Sequence, residues 1–171
     1  QVKNKNCPAC KYLIVVESNS LINTNPNLAS QWHEKNKIKP NEVNKTSGKY
    51  VWWRCNKGPD HEWKATISSR NQGRGCPICR GLKVVKSNAL STTHPNIAKE
   101  WHPTLNQELT PDKIVSGSNK KVSWLCSRDS SHDWRAQVIN RVGNGSGCPY
   151  CSLTPQSKQE LVILFELKSV F

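Results

Sequence analysis

Trp53-Arg54-Cys55, His61-Glu62-Trp63, Arg70 and Gly75-Cys76-Pro77-Ile78-Cys79 return in the same order as Trp124-Leu125-Cys126, His132-Asp133-Trp134, Arg141 and Gly147-Cys148-Pro149-Tyr150-Cys151. The copies stand 71 residues apart at the first cysteine, the histidine and the arginine, and 72 apart at the closing pair. One extra residue in the Gly-rich loop explains the difference. Cys7-Pro8-Ala9-Cys10 is a third copy of the ending, 69 residues before Cys76. A cysteine, a histidine and a Cys-x-x-Cys pair that recur together make the ligand set of a tetrahedral zinc site. Two complete Zn²⁺ sites are therefore expected: Cys55, His61, Cys76 and Cys79 in one, and Cys126, His132, Cys148 and Cys151 in the other. Cys7 and Cys10 form a half-site whose partners would lie upstream. Four protein ligands leave no open position, so the zinc is expected to be structural and this segment not to be an enzyme.

Other uses of eight cysteines fit less well. A secreted disulfide framework has no use for histidines placed six residues after each lone cysteine. A redox Cys-x-x-Cys leaves the same Cys/His pairs unexplained. No signal peptide is visible, and the apolar run Leu161–Phe165 is too short to cross a bilayer. These features point to an intracellular, reducing compartment, either the cytoplasm of a prokaryote or a nuclear or viral-host compartment, with no membrane partner.

The duplication runs well beyond the ligands. Residues 11–21 match 80–90, and Pro26–His33 matches Pro95–His102, both at the 69-residue offset. The chain accordingly divides into the end of an upstream repeat (1–10), two repeats (11–79 and 80–151) and the start of a C-terminal domain (152–171). A unit of about 70 residues buries only about 60% of its unfolded surface and is marginal without a staple. Zinc is that staple, because its binding free energy, about 10–16 kcal/mol in finger peptides, is folding free energy. The expected fold class is small zinc-stabilised α+β modules. They are tandem zinc-ribbon or treble-clef-like repeats, each a short helix plus a β-hairpin and a zinc knuckle.

Within each unit a short strand is expected at Val15-Val16 or Val84-Val85. A helix follows from Pro26 or Pro95, with Asn25 or His94 at the cap. Its face carries Leu28 and Trp32, or Ile97 and Trp101. A hairpin is expected from Val51-Trp52-Trp53 with Trp63–Ile67, and from Val122-Ser123-Trp124 with Trp134–Ile139. The recurring tryptophans are read as core filling, with Trp52, replaced by Ser123 in the second copy, the one free to be exposed. His33 and His102 are read as packing or hydrogen-bonding groups, since each site already has four ligands. After Cys151 the repeat stops, and Gln156–Phe171 reads as an amphipathic helix with a wide apolar face.

The net charge is +13, of which +6 falls on residues 11–79 and +5 on 80–151. Three thiolates and one Zn²⁺ add −1 per site, so the repeats stay basic and a polyanion is the expected partner, with DNA favoured over RNA. Basic residues that recur at one offset are the candidate nucleic-acid contacts: Lys49/Lys120, Lys64/Arg135 and Arg70/Arg141, with Arg74 and Lys121 beside them. Arg70 and Arg141 serve equally well as locks on the glycine loop.

The run Ala98-Lys99-Glu100-Trp101-His102-Pro103-Thr104, with Asn106, Leu109-Thr110-Pro111, Ser118–Val122, Trp124, Cys126, His132, Trp134, Arg141 and Gly147–Cys151, resembles the probable zinc-ribbon repeat family. The match is dense over 87–151 and nearly as good over 18–79. That resemblance implies tandem arrays that often precede a nuclease domain of the very-short-patch-repair or restriction-endonuclease-like type. It also implies that Ser157–Leu161 opens such a domain, with Glu160 the acidic residue to watch. The function expected is a zinc-binding, DNA-binding targeting region of a larger nuclease-type protein. A protein-interaction scaffold and an RNA-binding module are the alternatives.

Overall fold

The computed structural model describes Pro8 and residues 14–152. These part into two compact units between Asn88 and Ala89. Cys7, Cys10 and the expected helix at Gln156–Phe171 lie outside the described residues.

A hairpin frames the first unit. Strands β1 (Tyr50–Arg54) and β2 (Glu62–Thr66) pair antiparallel, with Trp53 opposite Trp63 and Trp52 opposite Lys64. Alternation along the strands sends Val51, Trp53 and Trp63 into the core. Residues 31–36 cover the free edge of β1. The Arg54 amide donates to the Gln31 carbonyl at 2.9 Å, and the His33 amide to the Trp52 carbonyl at 3.2 Å. Asn36 then imitates a strand with its side chain: its Oδ1 accepts from the Trp52 amide and its Nδ2 donates to the Trp52 carbonyl, both at 2.8 Å. An edge covered in this way offers no ladder to another chain.

Two single helical turns, α1 (Leu21–Thr24) and α2 (Pro26–Ala29), drop Leu21 and Leu28 into that core. Asn25 caps α2 by accepting from the Leu28 amide at 3.1 Å, and Pro26 stands where a missing N–H costs nothing. After β2 the chain turns directly into α3 (Ile67–Asn71), anchored by the buried Ile67. The second unit repeats this plan with α4 (Leu90–Thr93), α5 (Pro95–Ala98), β3 (Lys121–Leu125), β4 (Asp133–Gln137), α6 (Val138–Gly143) and a closing turn, α7 (Pro149–Ser152). Trp124 faces Trp134 across that hairpin, and Asn106 serves Ser123 as Asn36 serves Trp52, at 2.7 and 2.8 Å.

Paired tryptophans fill each core. Trp32 meets Trp53 edge to face at 5.3 Å, and Trp101 meets Trp124 at 5.4 Å. All four indole N–H groups find backbone carbonyls, those of Ile38, Ala65, Leu109 and Ala136, at 3.0 to 3.2 Å. Units this small gain most from the largest side chains, provided each polar atom is satisfied.

Three expectations need correction. Val15-Val16 and Val84-Val85 form no strand. Asn19 and Asn88 instead take the nearby backbone groups onto their side chains, accepting from the Val16 and Val85 amides at 2.9 and 2.8 Å. The second hairpin strands end at Thr66 and Gln137, because Ile67 and Val138 already lie in helices. The helices from Pro26 and Pro95 last one turn, so Trp32 and Trp101 lie beyond them, bridged to Trp53 and Trp124. The first compact unit runs on to Asn88, nine residues past Cys79.

Candidate metal centres

Each centre is assembled at the turn end of a hairpin. Cys55 follows β1 and His61 precedes β2, and the Cys55 amide donates to the His61 carbonyl at 3.0 Å. Cys126 and His132 are joined in the same way at 2.9 Å. This backbone bond fixes the first two ligands side by side. The second two arrive through the glycine loop, where Gly73 and Gly145 take left-handed conformations (φ of 88° and 59°) that side chains resist. The buried Ile78 plugs the core from inside the first pair, at 1% exposure. Its counterpart Tyr150 is 52% exposed, and its ring lies 5.0 Å from that of His132.

All eight expected ligands come together in two groups, Cys55, His61, Cys76, Cys79 and Cys126, His132, Cys148, Cys151. A tetrahedral zinc with Zn–S of about 2.3 Å separates two thiolates by roughly 3.8 Å. Cys55 and Cys79 stand 3.7 Å apart, and Cys126 and Cys151 3.6 Å. His61 Nδ1 lies 3.8 and 3.3 Å from the sulfurs of Cys76 and Cys79, and His132 Nδ1 lies 3.7 and 3.5 Å from those of Cys148 and Cys151. These separations are far too long for disulfides and right for four ligands around one ion. The residues present therefore fit zinc.

Electrostatics agree. The Arg128 amide points at the Cys126 sulfur from 3.4 Å and, with other donors, brings that thiol down to about 7. Cys55 is lowered too: burial opposes it, and the Lys57 amide leads the groups that outweigh it. Cys79 and Cys151 go the other way, to about 11, Cys79 chiefly through burial and Cys151 through its contact with Cys126. Three thiols so close cannot all ionise unaided, and a divalent cation supplies the compensating charge.

Arg70 and Arg141, on α3 and α6, are buried beside these centres. Arg70 bonds the Arg74 carbonyl, reaches Gln31 Oε1 at 2.5 Å and stacks 5.2 Å from the rings of both Trp53 and Trp63. Burial lowers its pKa, and the nearby Cys76 and Cys55 act in the opposite direction. Arg141 pairs with Glu100, the residue that corresponds to Gln31. Both guanidinium groups are thus engaged inside their units, Arg70 on the glycine loop itself. The other expected cations, Lys49, Lys64, Arg74, Lys120, Lys121 and Arg135, are all exposed.

His33 takes no part in either centre. Its Nδ1 accepts from the Lys35 amide at 3.0 Å, so its proton sits on Nε2, 2.8 Å from Glu62 Oε1. Glu62 is held down to about 2, first by Lys35 and then by His33. His102 Nδ1 likewise accepts from the Thr104 and Leu105 amides, at 3.3 and 3.2 Å. Sequence reading passed over one group at the first centre, the pair Asp60 and Ser87. Its only signal was a carboxylate adjoining a ligand histidine.

A short hairpin, single-turn helices and a Cys₃His knuckle, occurring twice, define a pair of small treble-clef-like zinc modules. The family model described as a probable treble clef zinc finger domain matches residues 28–82 and 97–154, and the chain belongs to that family. No curated protein matches the chain.

Proposed function

We propose that the two modules form a DNA-binding region, held in shape by two structural zinc ions, that positions a larger nuclease-type protein inside the cell. The observation that carries this reading is the outer face of the hairpins. Lys64 and Arg135 occupy the same register on β2 and β4, opposite Trp52 and Ser123. Lys49 and Lys120 lead into the paired strands, and Lys121 stands on the same outer face as Arg135. On the first unit two ammonium groups lie over the Trp52 ring, Lys64 at 5.1 Å and Lys35 at 5.4 Å, and Tyr50 beside it is 74% exposed. Cations around flat aromatic faces suit a phosphate backbone with bases within reach. A protein-docking groove would want apolar neighbours around Trp52, and lysines stand there.

Arg70 and Arg141 are left out of this surface because they are buried and paired. The nuclease association rests on the resemblance of the chain's tail and repeats to arrays that precede such domains.

The test is fluorescence anisotropy of the zinc-loaded chain on a labelled duplex across a salt series. Binding should weaken steeply with salt, and Lys64→Ala with Arg135→Ala should flatten the log–log slope by about 2. No binding at low salt would sink the reading, and stronger competition by RNA than by duplex DNA would move it to an RNA-binding module.

A further inference from the structure

Beyond its four ligands, the first zinc centre has a support from the segment that follows it. Ser87, eight residues beyond the last ligand but within the same compact unit, places both its donors on Asp60. Its amide reaches Oδ2 at 2.9 Å and its hydroxyl reaches Oδ1 at 2.5 Å. His61 Nε2 lies 3.2 Å from the same hydroxyl oxygen. A serine hydroxyl has one proton to give. With that proton directed at Asp60, the oxygen can only accept from His61. Nε2 must then carry the imidazole hydrogen, leaving the lone pair on Nδ1, the nitrogen that faces the sulfurs of Cys79 and Cys76 at 3.3 and 3.8 Å.

The corresponding positions of the second unit have been rearranged. Gly58 and Asp60 become Asp129 and Ser131. Asp129 spends Oδ1 on the Ser131 amide and hydroxyl, at 2.9 and 2.7 Å, while its Oδ2 stays 3.6 Å from His132 Nε2, beyond a hydrogen bond. The Tyr150 ring sets the plane of His132 but cannot choose which nitrogen holds the proton. Gly58 matters here as well. A Cβ there would fall 2.6 Å from His61 Cδ2, so the close seat of His61 requires glycine. His61 is 6% exposed, whereas the His132 side chain is 28% exposed.

We infer that Asp60 and Ser87 are positioning residues that lock His61 in its metal-binding tautomer and so tighten the first zinc centre. Outer partners of this kind are worth 10- to 100-fold in metal affinity. The repeat therefore extends functionally past its own ligands, because its metal site is completed by the segment leading to the next repeat.

The full chain loaded with ¹¹³Cd should give one resonance per centre, so a chelator titration can follow each separately. Ser87→Ala should weaken the first centre by about 10- to 100-fold and leave the second unchanged, and Ser87→Thr, which keeps the hydroxyl, should restore it. The His61 Nε2 proton should exchange slowly with water in the parent chain and in Ser87→Thr, and fast in Ser87→Ala. Equal losses at both centres or an unchanged first centre would overturn the inference.

Discussion

Glu62 shows how much a single position settles at the residue scale. It sits at the start of β2, next to the metal ligand His61, and gathers Lys35 and the Nε2 side of His33 onto one carboxylate. Its pKa falls from the usual 4.5 to about 2. A carboxylate favoured in the folded state contributes stability above its unfolded pKa and loses it as pH falls. Over the pH range in which zinc stays bound, the stability difference between the parent chain and Glu62→Gln should be constant well above about pH 4.5 and shrink as acidification approaches that value. Urea denaturation at stepped pH measures this, with the Glu62 carboxyl ¹³C shift as an independent titration; an ordinary midpoint near 4.5 would refute the contact. Asp133, the residue at the corresponding place, is shorter and has no such partners among the described residues.

At the scale of elements, the hairpins depend on side chains that stand in for backbone. Asn36 and Asn106 each make both hydrogen bonds of an absent strand, to Trp52 and Ser123. An asparagine can do this because its amide carries one acceptor and two donors in the geometry of a peptide. Removing either leaves a part-buried amide and carbonyl underserved. Asn36→Ala and Asn106→Ala are each expected to cost about 1–3 kcal/mol in their own unit. Denaturation with zinc in excess would show this, and amide exchange should quicken at Trp52 in the first variant and at Ser123 in the second. The same habit explains why Val15-Val16 and Val84-Val85 are not strands. β-branched residues suit extended backbone, but Asn19 and Asn88 capture the groups that a ladder would need.

For the whole molecule, two units each held by one metal make folding and metal binding the same event. Each core is built around a few tryptophans and leucines, too little for a unit of this size to stand alone. Removing zinc with a chelator should abolish the near-ultraviolet circular dichroism of the buried tryptophans, and stoichiometric zinc should restore it. The loss is on the order of 10–16 kcal/mol per site; a metal-free chain that kept its tryptophan signal would contradict this. The ligand sets, the module count and the hairpins were legible in the sequence, because duplicated Cys/His spacing and alternating apolar residues are local chemistry repeated at a fixed offset. The tryptophan pairs were legible as core for the same reason. Arg70 and Arg141 were not, since the sequence holds only their charge. It took folding to set Gln31 and Glu100, some 40 residues away, against them and so turn candidate contacts into buried struts. Nor could spacing alone reveal that Ser87 reaches back to Asp60 and His61, or that the compact unit ends at Asn88 and not at its last ligand. Short-range pattern determined which atoms bind metal. The long-range approach of segments decided which groups hold those atoms in place, because hydrogen-bond partners are chosen by proximity in space.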